Sequence, residues 1–464
     1  MKLTILGGGG VRMPGFVRAV LSTRAGSFDQ ICLLEPDQLR RDTIGRLAVE
    51  LASALGHPGL VAVTPDPAEA LTGADFVFSA IRVGGDKGRV IDEQAALRRG
   101  LVGQETVGPG GFAMALRTIP VVLSYCELLR ECAPDATLIN FTNPVGLITQ
   151  AIADHGGGIR VVGVCDTPGG TIEHLGRFLD VGQQRLQAGY AGLNHLGWVT
   201  SLLVGADERI GELLARFDEL QRSDRRFAAF DPAMIRRVGA LPTEYVYYFY
   251  DPLRYVREVT AAGSSRGEDV LLLNTELLEA LAKAFADGDV QDAWAAYSRL
   301  LGVRRDTYMR TDMEGTSGQA EARTRRSAQP EAGLDTAAIG GYEGLALRVI
   351  DGLTGAAPAD CIVNVRSEGT VAGLGADDVA ETWASVSPAG LVPRPSPALP
   401  RSALGLVLQV KEYERAAVQA AVSGDAELAA VALALHPLVP GITAARELVA
   451  EYRQLHGPLL GYLT

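Results

Sequence analysis

The sequence predicts an α/β fold in which a doubly wound parallel sheet is followed by a second α/β domain. Short β-branched runs alternate with helical patterns up to about residue 170, as a doubly wound domain requires. A run of glycines directly follows the first of these strands. The pattern changes character beyond that point, so we expect one domain over residues 1–170 and a second over residues 171–464.

Composition and charge narrow the classes of function. The chain has 464 residues, 47% of them hydrophobic, which is enough to bury two cores. A net charge of −12 argues against nucleic-acid binding, which usually requires a basic face. Five scattered cysteines predict a reducing compartment rather than a disulfide framework. We find no secretory signal and no apolar stretch suited to a membrane span, and expect a soluble cytoplasmic protein with no membrane partner.

The first strand–turn–helix unit predicts a nucleotide site. Lys2–Leu6 forms the strand, and a helix is expected to begin near Met13. Glycine backbones approach a pyrophosphate closely, and the helix N-terminus supplies free N–H groups. The second strand, Gln30–Leu34, ends where a dinucleotide fold places the acid that binds ribose hydroxyls, which favours NAD. The predicted cofactor-binding residues of this unit are Gly7, Gly8, Gly9, Gly10 and Glu35.

The next elements bring basic side chains and a glycine-rich segment towards the same edge. Arg40–Leu55 predicts an amphipathic helix, and Val61–Val63 and Ala74–Ala80 predict strands. Guanidinium groups match carboxylate or phosphate oxygens, so we consider Arg82 and Arg89 as anion clamps, although a single arginine is more often a solvated surface charge. Gly103–Gly111 predicts a loop that covers a cofactor, and Ala113–Arg130 predicts a long helix.

Two further strands end in residues suited to chemistry. The strands are predicted over Thr137–Phe141 and Val161–Val164. Carboxyl ends of parallel strands meet at one edge, where ligands bind. Asn143 follows the first strand, and is suited to bind a sugar or the nicotinamide or simply to form a turn. Cys165 and Asp166 follow the second strand, and we expect Cys165 to bind a divalent metal together with a lone His195 beside the nicotinamide.

The second half has a different pattern of elements. We predict strands over Tyr190–Val204, helical structure over Gly211–Arg236 and a long helix ending near Ala286. Leu241–Tyr250 is dense in tyrosines, most of which we expect in a core or interface. Thr316–Pro330 is polar and predicts a surface loop. The remaining predicted elements are a strand at Val363–Val365 and helices at Leu404–Ala421 and Ala426–Ala434.

Several motifs, in one order along the chain, resemble glycoside hydrolase family 4. This family comprises NAD- and metal-dependent glycosidases, among them 6-phospho-α- and 6-phospho-β-glucosidases and α-galactosidases. The resemblance implies a Rossmann-type NAD-binding domain interlocked with an α/β C-terminal domain, as in lactate and malate dehydrogenases. It also implies Mn²⁺ or another divalent metal on Cys165 and His195, and a homodimer or homotetramer. The matching motifs are Ile81–Gly85, Gly103–Gly111, Asn140–Pro144, Cys165–Pro168 and Gly192–Trp198.

The reaction that this resemblance implies is an elimination, unlike that of the paired-carboxylate glycosidases. Hydride passes from sugar C3 to NAD⁺, and the C2 proton, made acidic by the new ketone, is removed by a tyrosine. The aglycone then leaves, water adds and the hydride returns. The resemblance assigns the base to Tyr245, with Tyr247 and Tyr248 as alternatives, and the general acid to Asp166.

The resemblance also implies a substrate. Arg89 and Arg266 match positions that contact the sugar or its 6-phosphate. We also expect Asn143 to bind the substrate, and Arg82 and Asn143 to bind the cofactor. The motifs favour a 6-phospho-β-glucosidase, whereas an acid directly after the metal cysteine is typical of α-glycosidases. An α-glycosidase or α-galactosidase of the same family is therefore an alternative. The rivals from other classes are a plain NAD-dependent 2-hydroxy-acid dehydrogenase and a non-catalytic NAD-binding regulator.

Overall fold

A computed structural model describes residues 1–308 and 341–464 of the chain. The predicted surface loop at Thr316–Pro330 lies outside these residues. Within them, one mixed sheet of 13 strands runs through both halves of the chain. In chain order the strands are β1 (Lys2–Leu6), β2 (Gln30–Leu34), β3 (Val61–Thr64), β4 (Phe76–Ser79), β5 (Thr137–Asn140), β6 (Arg160–Gly163), β7 (Leu186–Leu193), β8 (Leu196–Val204), β9 (Asp207–Glu208), β10 (Leu241–Pro242), β11 (Ala359–Arg366), β12 (Val379–Ser387) and β13 (Gly390–Pro393).

The first six strands form the predicted doubly wound sheet. They are parallel and lie in the order β3-β2-β1-β4-β5-β6, which is the strand order of dinucleotide-binding folds. Successive residues of each strand face opposite cores: Leu6 and Val77 belong to one buried cluster, while Ile5 and Phe78 belong to the other. Both faces are apolar because helices cover both sides of a parallel sheet.

The sheet continues into the second half of the chain. β11 pairs with β6 in the antiparallel direction at Asn364 and Gly163, and β12, β7, β8 and β10 follow in that order. The two halves therefore share one sheet, which is the interlocked arrangement expected from the sequence. The boundary at residue 170 stays a prediction.

The helices pack on both faces of the sheet and mostly match the predicted positions. The region Gly211–Arg236, predicted as helical, is divided into several short helices with turns between them. The described helices are Met13–Arg24, Gln38–Arg40, Arg41–Gly45 (a π-helix), Arg46–Ala54, Pro67–Leu71, Gly85–Leu97, Gly108–Cys132, Val145–His155, Thr167–Phe178, Ile210–Ala215, Phe217–Ser223, Arg225–Ala228, Pro232–Val238, Tyr247–Tyr250, Pro252–Ala262, Arg266–Ala286, Val290–Asp306, Gly341–Thr354, Arg401–Ser423, Ala426–Leu435 and Ile442–His456.

The helix Gly108–Cys132 corrects two expectations. The predicted loop Gly103–Gly111 ends earlier, because Val107 occupies the N-cap position and Pro109 lies in the first turn, where its missing N–H costs nothing. Among the described helices, this one is also long and apolar enough to cross a membrane by length and composition, although no such stretch was expected. Most of it is buried, and it packs against the helices Arg401–Ser423 and Gly85–Leu97.

Candidate active site

A cavity of about 2160 Å³ lies at the carboxyl ends of the parallel strands. Its wall includes the turn after β1, the residues that follow β4, β5 and β6, and side chains from the second half of the chain. Pockets that hold one drug-sized ligand are usually about 300–1,000 Å³. The cavity therefore has room for a dinucleotide and a second molecule together.

The four predicted glycines do not all face this cavity. Gly7 and Gly10 line it. Gly7 has a φ of +81°, and a Cβ there would lie 2.7 Å from the Ala80 carbonyl oxygen. Gly8 lies against β2, where a Cβ would come 2.5 Å from the Cβ of Leu33. Glycine is thus required for the shape of this turn, and its contacts with a pyrophosphate stay a prediction.

Glu35 helps to hold that turn in place. It is 7% exposed, and its carboxylate accepts hydrogen bonds from the backbone N–H groups of Gly9 (3.0 Å) and Asp37 (3.0 Å). Burial raises the pKa of Glu35. The side chain also lines the cavity, and a carboxylate can accept more than two hydrogen bonds. Its contact with a ribose stays a prediction.

Cys165 and His195 meet at the cavity wall, as predicted. Cys165 follows β6, and His195 lies in the turn between β7 and β8 with a φ of +63°. Its Nε2 is 3.7 Å from the Cys165 Sγ, and both side chains are buried. Metal–sulfur and metal–nitrogen bonds of about 2.3 Å and 2.1 Å at a tetrahedral angle give a similar separation. In the described part of the chain, no set of three or more His, Cys, Asp or Glu side chains is arranged to hold a metal ion, so this pair would leave most coordination positions to a ligand.

Both members of the pair are neutral without a cation. Burial, together with the nearby carboxylates of Glu381 and Asp166, raises the pKa of the Cys165 thiol well above its usual value. Burial lowers the pKa of His195 to about 3, so its ring carries a lone pair. A bound cation would take that lone pair and displace the thiol proton, as metal binding to cysteine requires.

Tyr245 stacks on His195. The ring centroids are 3.7 Å apart and the rings are inclined by 7°. The Tyr245 oxygen accepts a hydrogen bond from the Tyr308 hydroxyl at 2.8 Å. Tyr245 and Tyr248 line the large cavity, whereas Tyr247 lines a separate, smaller one. The geometry thus favours Tyr245 as the tyrosine next to the Cys165–His195 pair.

Two carboxyl groups lie beside this tyrosine. Asp166 occupies the N-cap position of the helix Thr167–Phe178 without capping it, and lines the cavity. Glu244, which the sequence did not single out, is 4% exposed, and its Oε1 accepts a hydrogen bond from Thr167 at 3.5 Å. Its Oε2 has no hydrogen-bond partner among the described residues. Burial raises the pKa of Glu244 to about 7. Its position next to Tyr245 in the aromatic segment was the available signal.

A third carboxyl group, Glu381 on β12, lies behind the β7–β8 turn. It is 1% exposed and accepts hydrogen bonds from the Tyr190 hydroxyl (2.6 Å) and from the amides of Asn194 and Asn364 (3.1 Å each). Burial raises its pKa to about 7. Glu381 on β12 therefore links the turn that carries His195 to the neighbouring strands β7 and β11.

The predicted arginines lie in an ion-pair network. Glu105 bridges Arg82 (2.6 Å) and Arg89 (3.0 Å), and Arg89 also pairs with Glu93 at 2.7 Å. Burial opposes ionisation of Glu105, but the two guanidiniums outweigh it and hold its pKa well below the usual range. Both arginines line the cavity. Their roles in binding cofactor and substrate stay predictions.

Arg266 contacts Arg304, a basic residue that the sequence did not single out. It donates hydrogen bonds to the Thr307 hydroxyl (2.9 Å) and to the Arg304 carbonyl oxygen (2.8 Å). Arg304 lies half-buried in the cavity wall and donates to the Asn274 amide oxygen at 3.0 Å. Burial and the charges of Arg12 and Arg266 lower the pKa of Arg304. We call Arg12, Arg82, Arg266 and Arg304 the arginine cluster, and its concentrated positive charge suits an anion.

Asn143 follows β5 and lines the cavity as predicted. Its side-chain oxygen is buried and has no hydrogen-bond partner in the described residues. A buried oxygen of this kind is costly unless a ligand or water supplies the missing donor. Asn143 thus fits a ligand-binding role, and the identity of that ligand stays a prediction.

The fold and the cavity define a class of protein: an α/β enzyme of the dinucleotide-binding type, with a thiol–imidazole pair and a tyrosine facing a cluster of arginines. The sequence matches the model of "Family 4 glycosyl hydrolase" over residues 2–181 and that of its C-terminal domain over residues 190–439. The chain therefore belongs to glycosyl hydrolase family 4.

Individual relatives match along nearly the whole chain. The "Probable 6-phospho-beta-glucosidase" of Bacillus subtilis is 28% identical over 470 residues, covering 98% of this chain and 96% of that one. The "6-phospho-beta-glucosidase" of Escherichia coli is 27% identical over 472 residues, covering 98% and 95%. A 6-phospho-beta glucosidase from Thermotoga maritima, solved with manganese, NAD+ and glucose-6-phosphate, has a TM-score of 0.78 at 24% identity, with 98% of each chain covered, and shows the same fold.

Proposed function

We propose that this chain cleaves a 6-phosphorylated glucoside, most readily a β-glucoside, with NAD and a divalent cation such as Mn²⁺ as cofactors. One observation carries the proposal: the Cys165 sulfur and His195 Nε2 lie 3.7 Å apart under the ring of Tyr245, at the edge of a dinucleotide-binding sheet. Family membership supports glycoside hydrolysis, and the names of the full-length relatives support a phosphorylated glucoside.

The residues present suit this chemistry. When bound, the nicotinamide would supply a reversible hydride acceptor and the cation would supply Lewis-acid polarisation of sugar oxygens. Cys165 and His195 would hold the cation. Burial raises the pKa of Tyr245, and the hydrogen bond from the Tyr308 hydroxyl opposes that shift. As a phenolate, Tyr245 would accept the proton from sugar C2. Asp166 would give a proton to the leaving oxygen, because its carboxyl group lines the cavity and does not cap its helix.

The arginine cluster supports a phosphate on the substrate. Burial, together with the charges of Arg12 and Arg266, lowers the pKa of Arg304. An anion there would relieve this repulsion, and a phosphate offers several oxygens to guanidinium donors. An unphosphorylated sugar would bring no negative charge to the cluster.

The anomer has two candidates. The relatives that match along nearly the full chain include 6-phospho-β-glucosidases, which favours the β-glucoside. Asp166 directly after the metal cysteine is typical of α-glycosidases, and a phospho-α-glucosidase of Clostridium acetobutylicum also matches over 97% of the chain. Elimination from sugar C1 can expel a good leaving group from either an α or a β linkage. We therefore keep the α-glucoside as the second candidate.

A panel of nitrophenyl glycosides tests the proposal. The α- and β-glucosides and galactosides, each with and without a 6-phosphate, are assayed with NAD⁺, Mn²⁺ and a reductant. We expect release of nitrophenol from the 6-phospho-β-glucoside without net accumulation of NADH. Accumulation of NADH in proportion to product would instead identify a dehydrogenase. Equal cleavage of phosphorylated and unphosphorylated glycosides would reject the proposal that the substrate carries a 6-phosphate.

A further inference from the structure

Behind the Cys165–His195 pair, the side chains of Gln104 and Thr106 form a short hydrogen-bonded chain with His195, and the proposed reaction gives neither Gln104 nor Thr106 a role. Gln104, Thr106 and His195 are 7%, 7% and 4% exposed. The Thr106 hydroxyl lies 2.8 Å from the Gln104 Oε1 on one side and 2.8 Å from the His195 Nδ1 on the other. Water is largely excluded, so the donors and acceptors of this chain must satisfy one another.

The orientation of the Gln104 amide is fixed by the backbone. Its Oε1 accepts hydrogen bonds from the N–H groups of Thr106 (2.6 Å) and Val107 (2.9 Å). A backbone N–H can only donate, so the atom that receives both must be the amide oxygen and not the nitrogen. This oxygen has no proton to offer to the Thr106 hydroxyl.

The direction of the next two hydrogen bonds follows from this. Because the amide oxygen only accepts, the Thr106 hydroxyl donates its single proton to Gln104. The Thr106 oxygen is then an acceptor towards His195, so Nδ1 must carry the ring proton. In a neutral imidazole the other nitrogen, Nε2, is unprotonated, and Nε2 is the atom that faces the Cys165 sulfur.

We propose that Thr106, oriented by Gln104, is the positioning residue that holds the His195 proton on Nδ1, so that the Nε2 lone pair faces Cys165 and a cation bound there. Ligand histidines commonly donate their second ring N–H to a neighbouring oxygen, which fixes the ring. The inference takes from the proposed function only that a cation binds at this pair. The tautomer itself follows from the hydrogen bonds.

The backbone keeps Thr106 in place. Gly110 and Gly111 begin the helix Gly108–Cys132, and the segment Gln104–Thr106 crosses directly over them. A Cβ on Gly111 would lie 2.5 Å from the Thr106 carbonyl carbon, and a Cβ on Gly110 would collide with the Gln104 carbonyl oxygen. The two glycines thus allow an approach that no other residue permits, which explains the glycines of this motif without a direct contact to a ligand.

The tautomer can be measured without any metal. The full-length chain contains six histidines, so ¹⁵N-histidine labelling gives a short list of ring signals, and His195→Gln identifies the signal of His195. We expect a protonated Nδ1 and an unprotonated Nε2 in the parent chain and in Thr106→Ser. We expect Thr106→Val, which lacks the acceptor, to lose this preference. An Nε2-protonated His195 in the parent chain, or an unchanged signal in Thr106→Val, would overturn the proposal.

A cobalt titration tests the consequence for a cation. Thiolate-to-cobalt charge-transfer absorption reports ligation by Cys165, and loss of a hydrogen-bond partner behind a ligand typically costs about 10–100-fold in metal affinity. We expect Thr106→Val to bind Co²⁺ more weakly by this factor, and Thr106→Ser to bind nearly as the parent does. Thr118→Val is the matched control, because the buried Thr118 hydroxyl has no hydrogen-bond partner in the described residues.

The outcomes separate this inference from the proposed function. Equal Co²⁺ affinity of Thr106→Val and the parent chain would overturn the positioning role even if glycosides are cleaved. If the parent chain binds no Co²⁺, the proposed metal cofactor fails, whereas a tautomer change confined to Thr106→Val still supports the assignment of Thr106. Thermal unfolding of each variant shows whether the fold is retained.

Discussion

The cavity has two sides that differ in how their charges are balanced. On the side of Cys165 and His195, the groups are buried and uncharged in the absence of a cation, because burial raises the pKa of the thiol and lowers that of the imidazole. On the side of the arginine cluster, burial and the charges of Arg12 and Arg266 lower the pKa of Arg304, and Glu105 and Asp86 form ion pairs with Arg82. One side therefore suits a cation and the other suits an anion.

This difference indicates what a complete ligand set contains. A buried lone pair and thiol are satisfied by a metal ion, whereas neighbouring guanidiniums are satisfied by a phosphate. A phosphorylated sugar that reaches both sides would place its phosphate at the arginine cluster and its ring hydroxyls at the Cys165–His195 pair. We call the side of Cys165 and His195 the cation side and the side of the arginine cluster the anion side. Substitutions that change one side at a time test the comparison, and we expect the largest effects on the cation side.

Replacement of Cys165 by serine removes the sulfur ligand. We expect a loss of glycosidase activity of roughly 10³-fold at a fixed Mn²⁺ concentration, since a single imidazole holds a divalent ion poorly. Cys132→Ser is the matched control, because Cys132 is half-buried and does not line the cavity. Activity of Cys165→Ser close to that of Cys132→Ser would remove the sulfur from the cation site.

Replacement of Tyr245 by phenylalanine keeps the ring stacked on His195 and removes the proton acceptor. We expect exchange of the sugar C2 proton with deuterated solvent to slow by about 10²-fold or more, the usual contribution of a general base. Tyr247→Phe is the control, since Tyr247 belongs to the same segment but lines the separate cavity. Undiminished exchange in Tyr245→Phe would move the role of base to another residue, with Tyr248 as the next candidate.

The residues foreseen on the cation side show what a sequence can reveal. Cys165, Asp166 and Asn143 lie two or three residues beyond the ends of β6 and β5. Parallel strands end at a common edge, so the proximity of these residues follows from local pattern. The contact between Thr106 and His195 joins residues 89 positions apart, and that between Tyr190 and Glu381 joins residues 191 apart. Such pairs depend on how the two halves of the sheet are packed, which no local pattern encodes.

The anion side was harder to foresee for the same reason. Arg304 lies near the end of the helix Val290–Asp306, in a stretch with no recognisable motif. Nothing in its neighbours distinguishes it from Arg305, which is largely exposed.

The sequence also did not predict the strand β12, because its polar residues interrupt the apolar alternation expected of a strand. Two of these polar side chains, Glu381 and Thr382, are buried, and Glu381 is hydrogen-bonded to Tyr190 on β7 and Asn364 on β11.

Replacement of Arg304 by methionine tests the anion side. We expect the KM for a 6-phospho-glucoside to rise about 10- to 100-fold with a smaller change in kcat, because one charge-assisted contact to a phosphate contributes about 1.5–3 kcal/mol. Discrimination against the unphosphorylated glucoside should fall by the same factor. Arg257→Met, at an exposed position away from the cavity, controls for the loss of one positive charge. Equal KM values for Arg304→Met and Arg257→Met would place the phosphate elsewhere.

The smallest effect expected concerns Glu381 and the stability of the fold. Burial raises its pKa from 4.5 to about 7 in the folded chain. Below pH 4.5 the group is protonated in both states, and between pH 4.5 and 7 only the unfolded chain releases the proton. The free energy of unfolding therefore falls as pH rises through this window, by roughly 3 kcal/mol for this group, and levels off above pH 7.

Glu381→Gln removes this dependence because a glutamine does not titrate. We expect its free energy of unfolding, measured by urea denaturation, to decline less between pH 4.5 and 7 than that of the parent chain. The exposed Glu412→Gln should leave the parent slope unchanged. Since Glu244 has a similarly raised pKa, both variants keep its contribution, and the difference between them isolates Glu381. Parallel curves for Glu381→Gln and the parent would mean that Glu381 is ionised in the fold, and that the three donors around it balance a buried negative charge behind the cation side.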